Sequence, residues 1–144
     1  MTETLLGTWK LISWRRLSQD ASASFPLGPA ASGILIYAPG GRMAVQMTGE
    51  RRSPLATTDP LGGSPQERAA AYSGYLAYFG GYTFTDDTVT HLVEGSSYPN
   101  WSGAQQERPY TIEVGRLVLR TLPTSLPDGS VVVNEMSWER AGSR

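Results

Sequence analysis

The side chains able to move protons near neutral pH are few: one histidine, His91, one lysine, Lys10, and no cysteine in 144 residues. His91 has the unperturbed pKa closest to neutrality, so a general base or acid is expected there if the chain uses one. It lies in a strand-like run on the face shared by Val89 and Val93, opposite Thr88, Thr90 and Glu94. Arg108 shares the more apolar face of a later run with Tyr110, Ile112 and Val114, against Glu107, Thr111 and Glu113. A guanidinium turned inward must meet a carboxylate, carbonyls or a ligand anion. Together the three suggest catalysis beside a carbonyl. Neutral His91 would take the proton, Arg108 would hold the enolate oxygen, and Tyr110 or a helix tyrosine would return the proton. A hydrogen-bonded core histidine and a structurally paired arginine account for the same residues without chemistry.

Scarcity excludes other chemistries. Catalytic transition-metal sites commonly use two or three histidines, and cysteine-based sites, thiolate catalysis and disulfides are impossible here. No nucleophile elbow, dinucleotide fingerprint or phosphate-binding glycine loop occurs, so no metal and no cofactor is expected. The net charge is −1 and the only basic pairs are Arg15–Arg16 and Arg51–Arg52, which gives no stripe for nucleic acid. No apolar run approaches a membrane span. Met1–Lys10 lacks the pattern of a secretory signal, which points to the cytoplasm.

These groups need a scaffold, and the pattern supplies mostly strands. Hydrophobic residues make up 40% and charged residues 17%, which fits one packed domain over residues 1–144. Strand patterns cover Gly7–Leu17, Gly33–Ala38, Arg42–Met47, Tyr82–Thr85, Thr88–Ser96, Glu107–Val114, Arg116–Leu122 and Ser130–Arg140. Pro39-Gly40-Gly41, Asp86-Asp87, Gly115 and Pro127-Asp128-Gly129 supply turns, and Ser18–Ser32 and Thr48–Gly63 read as longer connections. Ser64, Pro65 and Glu67 form a capping box that opens one helix, expected to run to about Phe79 with Tyr72, Tyr75 and Phe79 against the sheet. The fold class is mainly β. Eight antiparallel strands with one short helix suit a closed up-and-down barrel large enough for one small ligand, with a β-sandwich as the alternative.

Leu6-Gly7-Thr8-Trp9 resembles the Gly-x-Trp opening strand of lipocalins, and Met136–Arg140 resembles their closing strand, which ends in arginine. The chain is similar to the bacterial and fungal lipocalin-like domain family, a calycin-type barrel. The similar segments are Leu5–Trp14, Pro26–Tyr37 with Gly41–Val45, Ala70–Tyr82, Val89–Gly103 and the last strand. The tyrosine-rich run Ala71–Tyr78 and Tyr98-Pro99-Asn100-Trp101-Ser102-Gly103 are its most distinctive parts. The resemblance implies a barrel whose Arg140 covers Trp9 at the closed end, a planar cation on an indole face. Related barrels include both carriers and enzymes.

Met43, Tyr72, Tyr75, Tyr82, Asn100 and Trp101 are the expected ligand contacts, with Trp9 and Arg140 structural. The expected partner is a small apolar or amphipathic organic molecule, and a homodimer is compatible with the sequence. The interior polar groups favour a cofactor-independent cyclase, isomerase or dehydratase of a polyketide- or terpenoid-like metabolite. The alternative is a non-catalytic carrier.

Overall fold

The computed structural model describes residues 4–142. Ten antiparallel strands form one sheet, eight of them long: β1 Gly7–Ser18, β3 Ser32–Tyr37, β4 Arg42–Thr48, β5 Tyr75–Phe84, β6 Thr88–Ser96, β7 Gln105–Glu113, β8 Arg116–Arg120 and β10 Val131–Arg140. The two-residue strands β2 (Ala23–Ser24) and β9 (Thr124–Ser125) hang on the flanks of β1 and β10. Long strands pair in chain order, and β1 then pairs with β10 from Trp9↔Arg140 to Ser18↔Val132. That last ladder closes the sheet, so the fold is a barrel and not a sandwich. No helix of the described residues is long and apolar enough to cross a membrane.

The two rims differ. At one rim the strands turn tightly. Ala38–Gly41 closes a turn with Gly41 at φ 83°, and residues 85–87 link β5 to β6. Val114-Gly115 makes the two-residue turn between β7 and β8 with both φ angles positive, 44° and 76°. Val114 is therefore not an interior residue, as the strand alternation suggested. The chain reverses there, and the valine side chain is 94% exposed. At the opposite rim lie all the long connections: residues 19–31, residues 49–64 with helix α1 (Pro65–Ser73), the 3-10 helix η1 (Pro99–Trp101), and residues 121–130.

The capping box forms as expected, with Ser64 Oγ accepting from the Glu67 N–H and the Glu67 carboxylate accepting from the Ser64 N–H. The helix, however, stops at Ser73 rather than running to Phe79. Gly74 caps it through its N–H to the Ala70 carbonyl, and Tyr75 already belongs to β5. The helical spacing of Tyr72, Tyr75 and Phe79 is overridden because Tyr75–Gly81 pairs with β4 and Tyr78–Phe84 with β6. None of the helix residues is buried, and Phe79 points outside the barrel, half exposed.

Two bulges set which side chains point inward. In β1 the register slips between Leu11 and Ser13, so Trp9 and Leu11 face the core before it and Trp14 after it. A second slip lies at Phe79/Gly80, where β6 carries one extra residue. Gly80 is required there: a Cβ would stand 2.0 Å from the Leu92 carbonyl oxygen. The closed half is filled by Leu5, Trp9, Leu35, Leu117 and Trp138. Arg140 lies over the Trp9 indole at 4.1 Å and donates to the Leu6 and Thr4 carbonyls at 2.8 Å each.

Candidate functional site

The interior polar groups assemble around His91. Its alternation with Val89 and Val93 carries it to the middle of the barrel, where it is 1% exposed. Tyr37, from the end of β3, meets Nε2 at 2.6 Å, and Tyr78, from β5, meets Nδ1 at 2.7 Å. Burial, reinforced by the nearby Arg108 charge, lowers the imidazole pKa to about 3. His91 is thus neutral at physiological pH, with one ring nitrogen a donor and the other an acceptor. Burial also raises both tyrosine hydroxyls, that of Tyr37 strongly.

Arg108 enters from β7 and is 5% exposed. Its guanidinium lies against the Tyr78 hydroxyl and opposes the burial-driven rise of that group. A neutral imidazole has one donor and one acceptor nitrogen, so one of the two tyrosines donates to His91 and the other accepts from it. The order Arg108, Tyr78, His91, Tyr37 runs from the long-loop rim toward the closed end. One Arg108 Nη donates to the Glu107 carbonyl at 3.3 Å, while its buried Nε has no hydrogen-bond partner among the described residues.

Trp101, presented by η1, roofs this chain of groups. Its ring meets Tyr78 edge-on at 5.6 Å and Tyr98 edge-on at 5.4 Å, and Arg108 lies 5.9 Å from its centre. Two cavities border Trp101. One, of about 720 Å³, opens at the long-loop rim among Trp14, Leu27, Tyr72, Tyr75, Leu76 and Trp101. Its volume suits a small organic ligand. The other, of about 380 Å³, lies between Gln105–Arg108 and residues 121–124. It exists because the β7–β8 ladder covers only Tyr110–Glu113, leaving the first half of β7 unpaired on that side.

The residues expected around one pocket are therefore divided between the two ends. Tyr72, Tyr75 and Trp101 share the larger cavity, with the Tyr75 hydroxyl bonded to Gln46. Asn100 is exposed beside it and donates to the Tyr98 hydroxyl. Met43, Tyr82 and Tyr110 lie toward the tight-turn rim. There Tyr82 donates to the Ala38 carbonyl at 2.9 Å and Tyr110 to the Thr85 carbonyl at 2.6 Å. Of the three groups assigned to proton chemistry, His91 and Arg108 are linked through Tyr78, and Tyr110 is committed to a turn carbonyl. Tyr37 and Tyr78 did not stand out in the sequence. Tyr78 was assigned to the helix, and Tyr37 ends a short apolar strand; only pairing alternation with Leu35 and Tyr82 could have revealed them. Among the described residues no group of three His, Asp or Glu is placed to hold a metal.

Glu135 is the one buried carboxylate among the described residues. Alternation with Met136 and Trp138 turns it to the outer face, where Arg15 and Arg120 bracket it. Burial raises its pKa, but the two guanidiniums outweigh that and hold it below the ordinary value.

The model of a lipocalin-like domain matches residues 6–141. Among curated proteins, the chain is similar to a 4′-hydroxy-3′-methoxypropiophenone carrier protein of Aspergillus oryzae. The two are 36% identical over 88 residues, which is 56% of this chain and 79% of that protein. No solved structure matches.

Proposed function

The chain belongs to the lipocalin-like domain family, and on that premise we propose that it is a cytoplasmic carrier. It holds a small aromatic organic molecule, of the aryl-ketone kind, at the long-loop mouth of its barrel. The observation that carries this reading is the condition of His91. Both ring nitrogens are already bonded to tyrosines at 2.6 and 2.7 Å, and the ring is sealed from solvent. A base must have a free lone pair within reach of the substrate proton, and here one ring nitrogen carries its own proton while the lone pair of the other is taken up by a tyrosine hydroxyl. The walls that remain open, Trp14, Leu76, Tyr72, Tyr75 and Trp101, are aromatic and apolar. They suit a flat ring, and the similarity to a carrier of an aryl ketone supports the same ligand class.

The catalytic reading, a cyclase, isomerase or dehydratase working through His91, Arg108 and Tyr110, requires the tyrosine pair to release the imidazole on binding. One experiment separates the two. The protein is titrated with 4′-hydroxy-3′-methoxypropiophenone while tryptophan emission is followed, and the ligand is then recovered and analysed by mass spectrometry. Saturable quenching with unchanged ligand is expected. Conversion of this or a related aryl ketone, lost on His91→Gln, would instead establish the enzyme. Absence of saturable binding across a set of aryl ketones would overturn the carrier.

A further inference from the structure

Arg108 is a permanently charged group buried without a counter-ion. The ion pairs among the described residues join Arg15 and Arg120 to Glu135 and Arg42 to Glu94, and none involves Arg108. Its neighbour Glu107 alternates to the other face of β7, is exposed and makes no ion pair with it, although it also lines the edge of the recess between β7 and residues 121–124. Its own contacts are weak for a guanidinium: a 3.3 Å bond to the adjacent carbonyl, the Tyr78 hydroxyl, and an Nε with no partner among the described residues. Removing a charge from water without pairing it is strongly unfavourable, so such groups ordinarily meet an anion. The cation acts unneutralised on everything near it. It pulls the Tyr37 and Tyr78 hydroxyls down against burial and pushes His91 down with it. It also borders an open space, the recess of about 380 Å³ left where β7 has no ladder to β8. The Trp101 ring forms another wall of that recess, 5.9 Å from the guanidinium.

We propose that Arg108 is the anchor for an oxyanion carried on the ligand's aromatic ring, a phenolate, enolate or carboxylate, which enters the recess between β7 and residues 121–124 with the ring against Trp101. This rests on the carrier reading and narrows it. The cargo is an acidic aromatic molecule, and the protein selects its ionised form. A planar guanidinium with an unspent donor suits an oxygen acceptor better than an ammonium would. The same charge that adds to burial in keeping His91 neutral attracts a deprotonated phenol.

The test uses two probes that differ only in acidity, 4′-hydroxypropiophenone and its methyl ether 4′-methoxypropiophenone. Both are bound to the wild-type protein and to Arg108→Met. Affinity is read by tryptophan quenching, and ionisation by the red-shifted absorption band of the bound phenolate. The wild type is expected to bind the phenol on the order of tenfold more tightly than the ether. It should also display the phenolate band at a pH where the free phenol is still protonated. Arg108→Met should lose the band and the preference while holding the ether as before. Equal affinities in the wild type with no phenolate band, or a variant that keeps both, overturn the anchor and leave the carrier standing. If neither probe binds, the anchor and the aryl-ketone carrier fall together. Should Arg108→Met fail to fold, the wild-type band and preference decide alone.

Discussion

Acidification should destabilise this protein through one residue. His91 is the sole histidine, and burial lowers its pKa in the fold to about 3 from the ordinary 6.5. Between those values the unfolded chain binds a proton that the folded chain refuses. Stability therefore rises with pH across that window and is lost as pH falls through it. From pH 7 to pH 5 the loss from this one site is about 2 kcal/mol, obtained by titrating an ordinary histidine in the unfolded state against a neutral one in the fold. For a chain of this size, that lowers the melting midpoint by roughly 5–8 °C. Glu135, whose folded pKa is depressed by Arg15 and Arg120, loses its contribution in the same direction. Its ordinary range lies lower, so pH 5–7 isolates the histidine. Urea unfolding at pH 7, 6 and 5 at fixed ionic strength measures the slope, and His91→Gln supplies the flat reference. Stability within about 0.5 kcal/mol across the range, or an imidazole that titrates near 6.5 in the folded protein by NMR, would refute the reasoning.

Removing either tyrosine hydroxyl leaves a buried imidazole nitrogen without its partner, so Tyr37→Phe and Tyr78→Phe should each cost about 1–3 kcal/mol. Unchanged urea midpoints for both variants would contradict the bonded state of the ring. Arg140→Ala loses a 4.1 Å cation–ring contact and two 2.8 Å hydrogen bonds at an exposed rim. A drop of about 2 kcal/mol is expected, with Arg140→Lys in between; an unchanged urea midpoint would rule this out. Val114→Asn should stabilise by about 1 kcal/mol, because a β-branched residue holds φ 44° beside Gly115 in a two-residue turn that favours Asn-Gly. A lowered melting temperature for that variant would count against the strain.

The barrel was legible because its hairpins are punctuated. Pro39-Gly40-Gly41 and Asp86-Asp87 separate runs whose alternation is clean, and the inward placement of Met43, Val45, Met47, Val89, His91, Val93, Arg108 and Tyr110 follows from period two alone. Legibility failed where the period breaks. The bulge after Leu11 hides that Trp9 and Trp14 face the same interior, and Val114 continues an alternation the chain has already left. The stretch Tyr75–Phe79 satisfies helical spacing and strand pairing at once. Only the ladders to β4 and β6, contacts far apart in sequence, decide it. The site suffered most from this last ambiguity. Tyr78 holds the centre of the polar chain, and reading it as helical removed it from the interior. The division of expected ligand contacts between the two rims depends on how far along each strand a residue sits, which alternation does not encode.

The ladder from Trp9↔Arg140 to Ser18↔Val132 joins strands separated by well over a hundred residues. During synthesis β1 emerges before its partners and finds one neighbour, β3, soon after, but its other edge has no long partner until β10 leaves the ribosome. The nascent barrel must therefore stay an open sheet, with indole and leucine side chains uncovered, while all the intervening strands are made. Loop closure over such a distance is slow, so zipping the final strand is the natural rate-limiting event of folding. The clasp of Arg140 on Trp9 belongs to that event alone. Weakening it is expected to speed unfolding more than it slows the formation of the earlier hairpins, so lesions there would surface first as aggregation during expression.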